Sequence, residues 1–277
     1  MKRVLLPTDF SDNAWKAMCY AAQLYHEIPC KFYILNNYSA PYDPIESGVA
    51  NYFEPLEKES EAGLEKVLKQ FKELDHHPSS EFVTMTNFGP IHATISHLEE
   101  TEDESHIVVM GTRGASGPGE LFLGTTTVGV ISNVKSPVIA VPQNAILEEP
   151  KEIMLAIDQR GVDHLNEVRP LIDLAKAHHS VVSVVNIHEV EKEVVLDKNS
   201  PEEFVIDHYL EGLEHAYYSL DGEYTEDKLM DFAHGMKINL ITVIHRDQGF
   251  WKNLFHSSLT KRIAYHTDIP LLVLNDH

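Results

Sequence analysis

The sequence predicts an α/β protein built from two tandem domains, each a five-stranded parallel sheet with helices on both faces. Three observations carry this reading. Short, continuous apolar runs alternate with amphipathic helical stretches, the pattern of strands buried on both sides. The pattern then occurs a second time, and internal repetition is the strongest organisational signal here. The chain has 277 residues, 43% of them hydrophobic, enough for two ordinary domains with cores of their own.

The elements of the first half follow in order. Val4-Leu5-Leu6-Pro7 reads as a strand that ends at Thr8-Asp9. Ser11 is placed to cap an amphipathic helix over Ala14 to His26. A second strand is expected over Phe32 to Leu35, then a Pro-containing polar loop from Tyr38 to Phe53 and a long charged helix from about Glu54 to Leu74. A strand over Phe82 to Met85, a helix over Ile91 to Glu100 and an apolar strand over Ile107 to Met110 come next. A Gly-rich loop, a helix near Thr125 to Val134 and the strand Val138 to Val141 complete the half.

The second half repeats this order. Ile153 to Asp158 echoes Val4 to Asp9 at an offset of 149, and Tyr265 to Val273 echoes Asn133 to Ala140 with Pro270 matching Pro137. The boundary falls in the Glu-rich segment Asn144 to Pro150, giving domains over residues 1–145 and 150–277.

The net charge is -21. Up to Ala145 there are 10 basic and 19 acidic residues, and beyond it 12 and 24, so both halves are acidic. Such a surface repels a phosphate backbone and anionic lipid, so neither nucleic acid nor membrane is an expected partner. The N-terminal apolar run is too short for a signal segment, and no run approaches the ~20 residues of a membrane span. A cytoplasmic location is expected. Cys19 and Cys30 form no CxxC pair and read as reduced, mostly buried thiols.

The chemistry concentrates in Gly111-Thr112-Arg113-Gly114-Ala115-Ser116-Gly117-Pro118-Gly119-Glu120-Leu121-Phe122-Leu123-Gly124-Thr125-Thr126. This loop leaves the carboxyl end of a strand and enters a helix, where open α/β sheets bind ligands. Glycines allow close backbone approach to a phosphate, and the helix start offers N–H groups and a favourable dipole. The Thr125 and Thr126 hydroxyls add donors. The loop has no Lys, so it is not a GxxxxGK[ST] loop, and Pro7-Thr8-Asp9 stands where a dinucleotide fingerprint would place GxGxxG.

Gly111-x2-Gly114-x9-Gly124-Thr125 is similar to the G-2x-G-9x-G-[S/T] phosphate motif of ATP-binding universal stress proteins. Pro7-Thr8-Asp9-Phe10-Ser11 resembles that family's first strand, and Ser136 to Val141 its last. The resemblance covers residues 1–142 and, more weakly, 151–274. It implies two Rossmann-like domains of the adenine-nucleotide alpha-hydrolase-like type, whose last strands pair antiparallel so that one chain imitates the family's dimer. Further association into a homodimer is compatible with it. It also implies an ATP site, with AMP or ADP as alternatives and Mg as a companion ion. Asp9 would contact adenine, with Pro7 and Thr8 along the pocket edge and backbone contacts from Asn36 or, as the residue we assign, Asn37. Met110, Gly111 and Gly114 would lie along ribose and phosphate, Gly124, Thr125 and Thr126 would hold the phosphates, and Arg113 would neutralise charge.

The second half departs from the pattern. Its loop reads His245-Arg246-Asp247-Gln248-Gly249-Phe250-Trp251, with Ser257-Ser258 where Gly124-Thr125 stand and His245 aligned with Gly111. This half is expected to bind nucleotide weakly or not at all. The 17 histidines include the adjacent pairs His76-His77 and His178-His179, whose side chains diverge, and no HExxH spacing occurs, so no metal site is expected. No nucleophile elbow marks a catalytic site. The resulting expectation is an ATP-binding stress-response or regulatory protein with an unidentified protein partner. The alternatives are a nucleotide-independent scaffold of the same fold and a slow ATPase.

Overall fold

A computed structural model describes residues 1–39, 53–101, 106–112, 124–157, 162, 165–186, 206–220, 226–245 and 268–275. The described residues fall into two compact units, the first reaching Gln143 and the second starting at Asn144.

In the first unit the strands are β1 (Lys2–Pro7), β2 (Cys30–Tyr38), β3 (Glu81–Phe88), β4 (His106–Gly111) and β5 (Val138–Val141). The helices are α1 (Asp12–Tyr25), α2 (Phe53–Phe71), α3 (Ile91–Thr101) and α4 (Thr125–Asn133). All pairings are parallel, in the order β3-β2-β1-β4-β5. Every residue of β4 and β5 is buried, as are six of the nine of β2. Successive strand residues point to opposite faces, so both faces are covered. α1 packs on β1, β4 and β5, and α2 on β2 and β3, while α3 and α4 pack on each other. No residue of the edge strand β3 is fully buried: each is partly or fully exposed.

Local chemistry sets the helix starts. Ser11 holds an extended backbone (φ -72°, ψ 160°), and its hydroxyl accepts from the Ala14 amide at 3.2 Å, so it caps α1 as expected. The two cysteines are free. Burial pushes the Cys30 thiol up to about 12 against a small opposing effect of Lys2, and burial raises Cys19 as well, so both are poor nucleophiles.

The second unit repeats the design. β6 (Glu152–Ile157), α5 (Leu165–His178), β7 (Val181–Asn186), β8 (Glu214–Ser219), α6 (Glu226–Gly235), β9 (Leu240–His245) and β10 (Leu271–Asn275) follow one another. The parallel order is β8-β7-β6-β9-β10, the order of the first unit. The repeat holds at single hydrogen bonds: Val108 N–H donates to Pro137 O at 2.9 Å, and Ile241 N–H to Pro270 O at 3.0 Å. Among the described residues, no helix is long and apolar enough to cross a membrane.

Candidate functional site

The first sheet reverses its direction of winding between β1 and β4: the chain places β2 and β3 on one side of β1, then β4 and β5 on the other. A crevice opens beyond the carboxyl ends of the strands at such a switch point. A cavity of about 620 Å³ lies there, within the roughly 300–1,000 Å³ of small-molecule sites.

Its β1 wall is Pro7, Thr8 and Asp9. The Thr8 hydroxyl accepts from the Phe10 amide at 3.0 Å, and the Asp9 carboxylate from the Ser11 amide at 3.1 Å, so two short side-chain turns shape the loop. Phe10 takes a positive φ of 64°, and its ring covers Gly63 of α2, where an added Cβ would lie 2.5 Å from a ring carbon. A buried polar chain anchors the same loop from below. Asn36 donates to Thr8 O at 2.7 Å, Ser60 of α2 donates to the Asn36 carbonyl at 2.6 Å, and the Ser60 hydroxyl also meets that of Thr86 on β3. Ser60→Ala leaves the Asn36 carbonyl short of its donor inside the core. The expected cost is about 1–3 kcal/mol, read as a lower denaturation midpoint, and an unchanged midpoint would contradict the anchoring role.

Asn37 lines the cavity, and its amide is committed to the next wall, donating to Gly89 O at 3.1 Å and to the Thr94 hydroxyl at 2.9 Å. This pins the β3–α3 connection. Sequence reasoning missed that connection: Gly89, Pro90, Ile91 and His92 all line the cavity. Gly89 has a φ of 104°, a turn that favours glycine, and Pro90 suits the residue entering a helix. The Gly-Pro pair at a strand end was the available signal.

The far wall is Met110 and Gly111 of β4 with Gly124, Thr125, Thr126 and Thr127 at the start of α4. The Gly124 amide donates to Thr112 O at 2.6 Å, tying together the two ends of the Gly-rich loop. Arg113 and Gly114 lie outside the described residues. The N-cap of α4 is Gly124, which has no side chain to cap the helix, so the first-turn amides that a helix leaves without intrahelical acceptors start at the cavity. Thr127 turns its hydroxyl to Gly111 O at 3.0 Å and is buried, whereas Thr125 and Thr126 are exposed.

Gly111 has a second reason to be glycine. An added Cβ would lie 2.8 Å from Asn13 Cγ and 2.9 Å from the Asn13 backbone oxygen. Asn13 is itself fixed by donating to Val141 O at 3.0 Å. Gly111 therefore serves the close approach of α1 to β4.

The cavity thus gathers Pro7, Thr8, Asp9, Asn37, Met110, Gly111, Gly124, Thr125 and Thr126, drawn from positions more than a hundred residues apart. Among its described lining residues Asp9 is the one carboxylate, and no Lys or Arg is present. Among the described residues no group of three or more His, Cys, Asp or Glu is placed to hold a metal ion.

One alignment in the second unit needs correction. Gly111 pairs with Val141, and the equivalent pair of the second sheet is Ile244 with Leu274. Ile244, not His245, stands in the place of Gly111, and His245 takes that of Thr112. Asp158 and the Ser257-Ser258 pair lie outside the described residues.

Fold and site together define a doubly wound α/β domain with a cavity at its switch point. The universal stress protein family model matches residues 1–142, and the chain belongs to that family. It is 27% identical over 143 residues to Universal stress protein MJ0531 of Methanocaldococcus jannaschii, covering 50% of this chain and 81% of that protein. A universal stress protein from Archaeoglobus fulgidus has the same fold, with a TM-score of 0.73 at 16% identity over 99% of this chain and 96% of that one. A putative universal stress protein from Pseudomonas aeruginosa superposes with a TM-score of 0.58 at 12% identity, over 99% and 93%.

Proposed function

We propose that the first unit binds ATP and that the chain acts as a nucleotide-responsive regulator in stress physiology. The observation that carries this is the convergence on one cavity of the β1 end (Pro7, Thr8, Asp9) and the uncapped, glycine-led start of α4 (Gly124, Thr125, Thr126). Triphosphate would lie against the α4 amides and threonine hydroxyls, where the helix dipole favours negative charge. Adenine would lie toward Asp9 and the end of β2 at Asn37. Arg113 and Gly114, within the same motif, would flank the phosphates.

The second domain, residues 150–277, is on this reading a degenerate domain of the same family that does not hold nucleotide. Ile244, at the place of Gly111, supports this. The one carboxylate and the one imidazole of the described lining, Asp9 and His92, are assigned to binding, and binding rather than turnover is the proposed role.

Isothermal titration of ligand-stripped protein with ATP, AMP and GTP, each with and without Mg, tests this. Saturable heat with an adenine nucleotide and none with GTP is expected. No heat with any of them would favour a nucleotide-independent scaffold.

A further inference from the structure

We propose that His92 is the residue by which this cavity reads the phosphate chain, favouring ATP over AMP and adenosine. The inference rests on the nucleotide reading above and adds to it a residue outside the Gly-rich loop.

His92 stands in the first turn of α3, brought to the cavity by the positive-φ turn at Gly89 and by Pro90. Across from it runs α4. An added Cβ on Gly129 would lie 3.8 Å from His92 Nδ1, ordinary contact distance, so the imidazole sits directly against α4 where that helix has no side chain. Gly129 is four residues after Thr125 and three after Thr126, which puts all three on one helix face. The imidazole and the two threonines therefore share a face, and all line the cavity.

Charge makes the position matter. The chain carries a net -21, Asp9 adds a carboxylate to the cavity, and no described lining residue is Lys or Arg. His92 is the one described lining side chain that can present a positive charge to an anion. A phosphoryl chain held at the α4 start would pass beside this ring, whereas adenosine would not reach it. His92 then acts on affinity in proportion to phosphate length.

Titrating adenosine, AMP and ATP into the full chain and into His92→Ala, His92→Gln and His92→Arg tests this. His92→Ala should weaken ATP about 10-fold or more, the loss expected for a hydrogen bond to a charged group, and leave adenosine within about twofold. His92→Arg should restore ATP affinity, and His92→Gln should fall between. Equal losses for adenosine and ATP, or an unchanged ATP-to-adenosine ratio in protein that still binds nucleotide, would overturn the role of His92 alone. Absence of nucleotide binding by the unaltered chain would overturn the underlying reading with it. Thermal melts of each variant identify losses caused by misfolding, and a properly folded His92→Gln keeps the test valid if His92→Ala is destabilised.

Discussion

Gly124→Asp is expected to abolish ATP binding while leaving the fold as stable as before, or slightly more so. Gly124 is the N-cap of α4, with φ -59° and ψ 152°, a conformation open to any L-residue. Aspartate is among the preferred N-cap residues, and it would supply the side-chain cap that α4 lacks. The same carboxylate would take the first-turn amides assigned to phosphate and place a negative charge beside it. At about 4 Å and an effective dielectric of about 20, one such repulsion is worth roughly 4 kcal/mol, so a loss of at least about 100-fold is expected. Titration calorimetry measures the affinity and a thermal melt the stability. Lost binding with an unchanged or raised melting temperature assigns the phosphate site to the α4 start, and unaltered affinity would locate it elsewhere.

Gly111→Ala should act in the opposite sense, damaging the fold of the first unit. Its Cβ would press on Asn13 at 2.8 Å, and Asn13 has little room to give: it is 4% exposed, it holds Val141 O, and its own backbone oxygen is part of the clash. Overpacking of this kind costs about 1–3 kcal/mol, and displacing the Asn13 amide adds about 1 kcal/mol. Differential scanning calorimetry should show the transition of the first unit lowered by several degrees. An unshifted transition would mean that α1 and β4 separate more readily than their packing implies.

These two glycines show how far the sequence could be read. Both belong to one spacing motif, and both were expected to serve phosphate approach. Spacing alone could not distinguish Gly124, at a helix start facing the cavity, from Gly111, pressed against Asn13 of α1. The strands were legible because a doubly covered sheet demands unbroken apolar runs, and β4 and β5 supply them. The Pro270–Pro137 echo was legible because both prolines accept the same sheet hydrogen bond. The Asn36–Ser60–Thr86 chain was not, since three polar residues on three elements leave no local pattern. The β3–α3 wall was overlooked because Gly89-Pro90 reads as mere punctuation until the fold brings it opposite α4. His245 was aligned with Gly111, although the offset of 133 that links Pro137 to Pro270 and Gly124 to Ser257 gives Ile244, the residue that the strand register also places there.

A crystal structure of the full chain grown with ATP would locate the nucleotide directly. One nucleotide is expected, in the first unit, with its phosphates at Gly124, Thr125 and Thr126 and its adenine on the Asp9 side. Density for ATP in both units, or with its phosphates away from the α4 start, would contradict it.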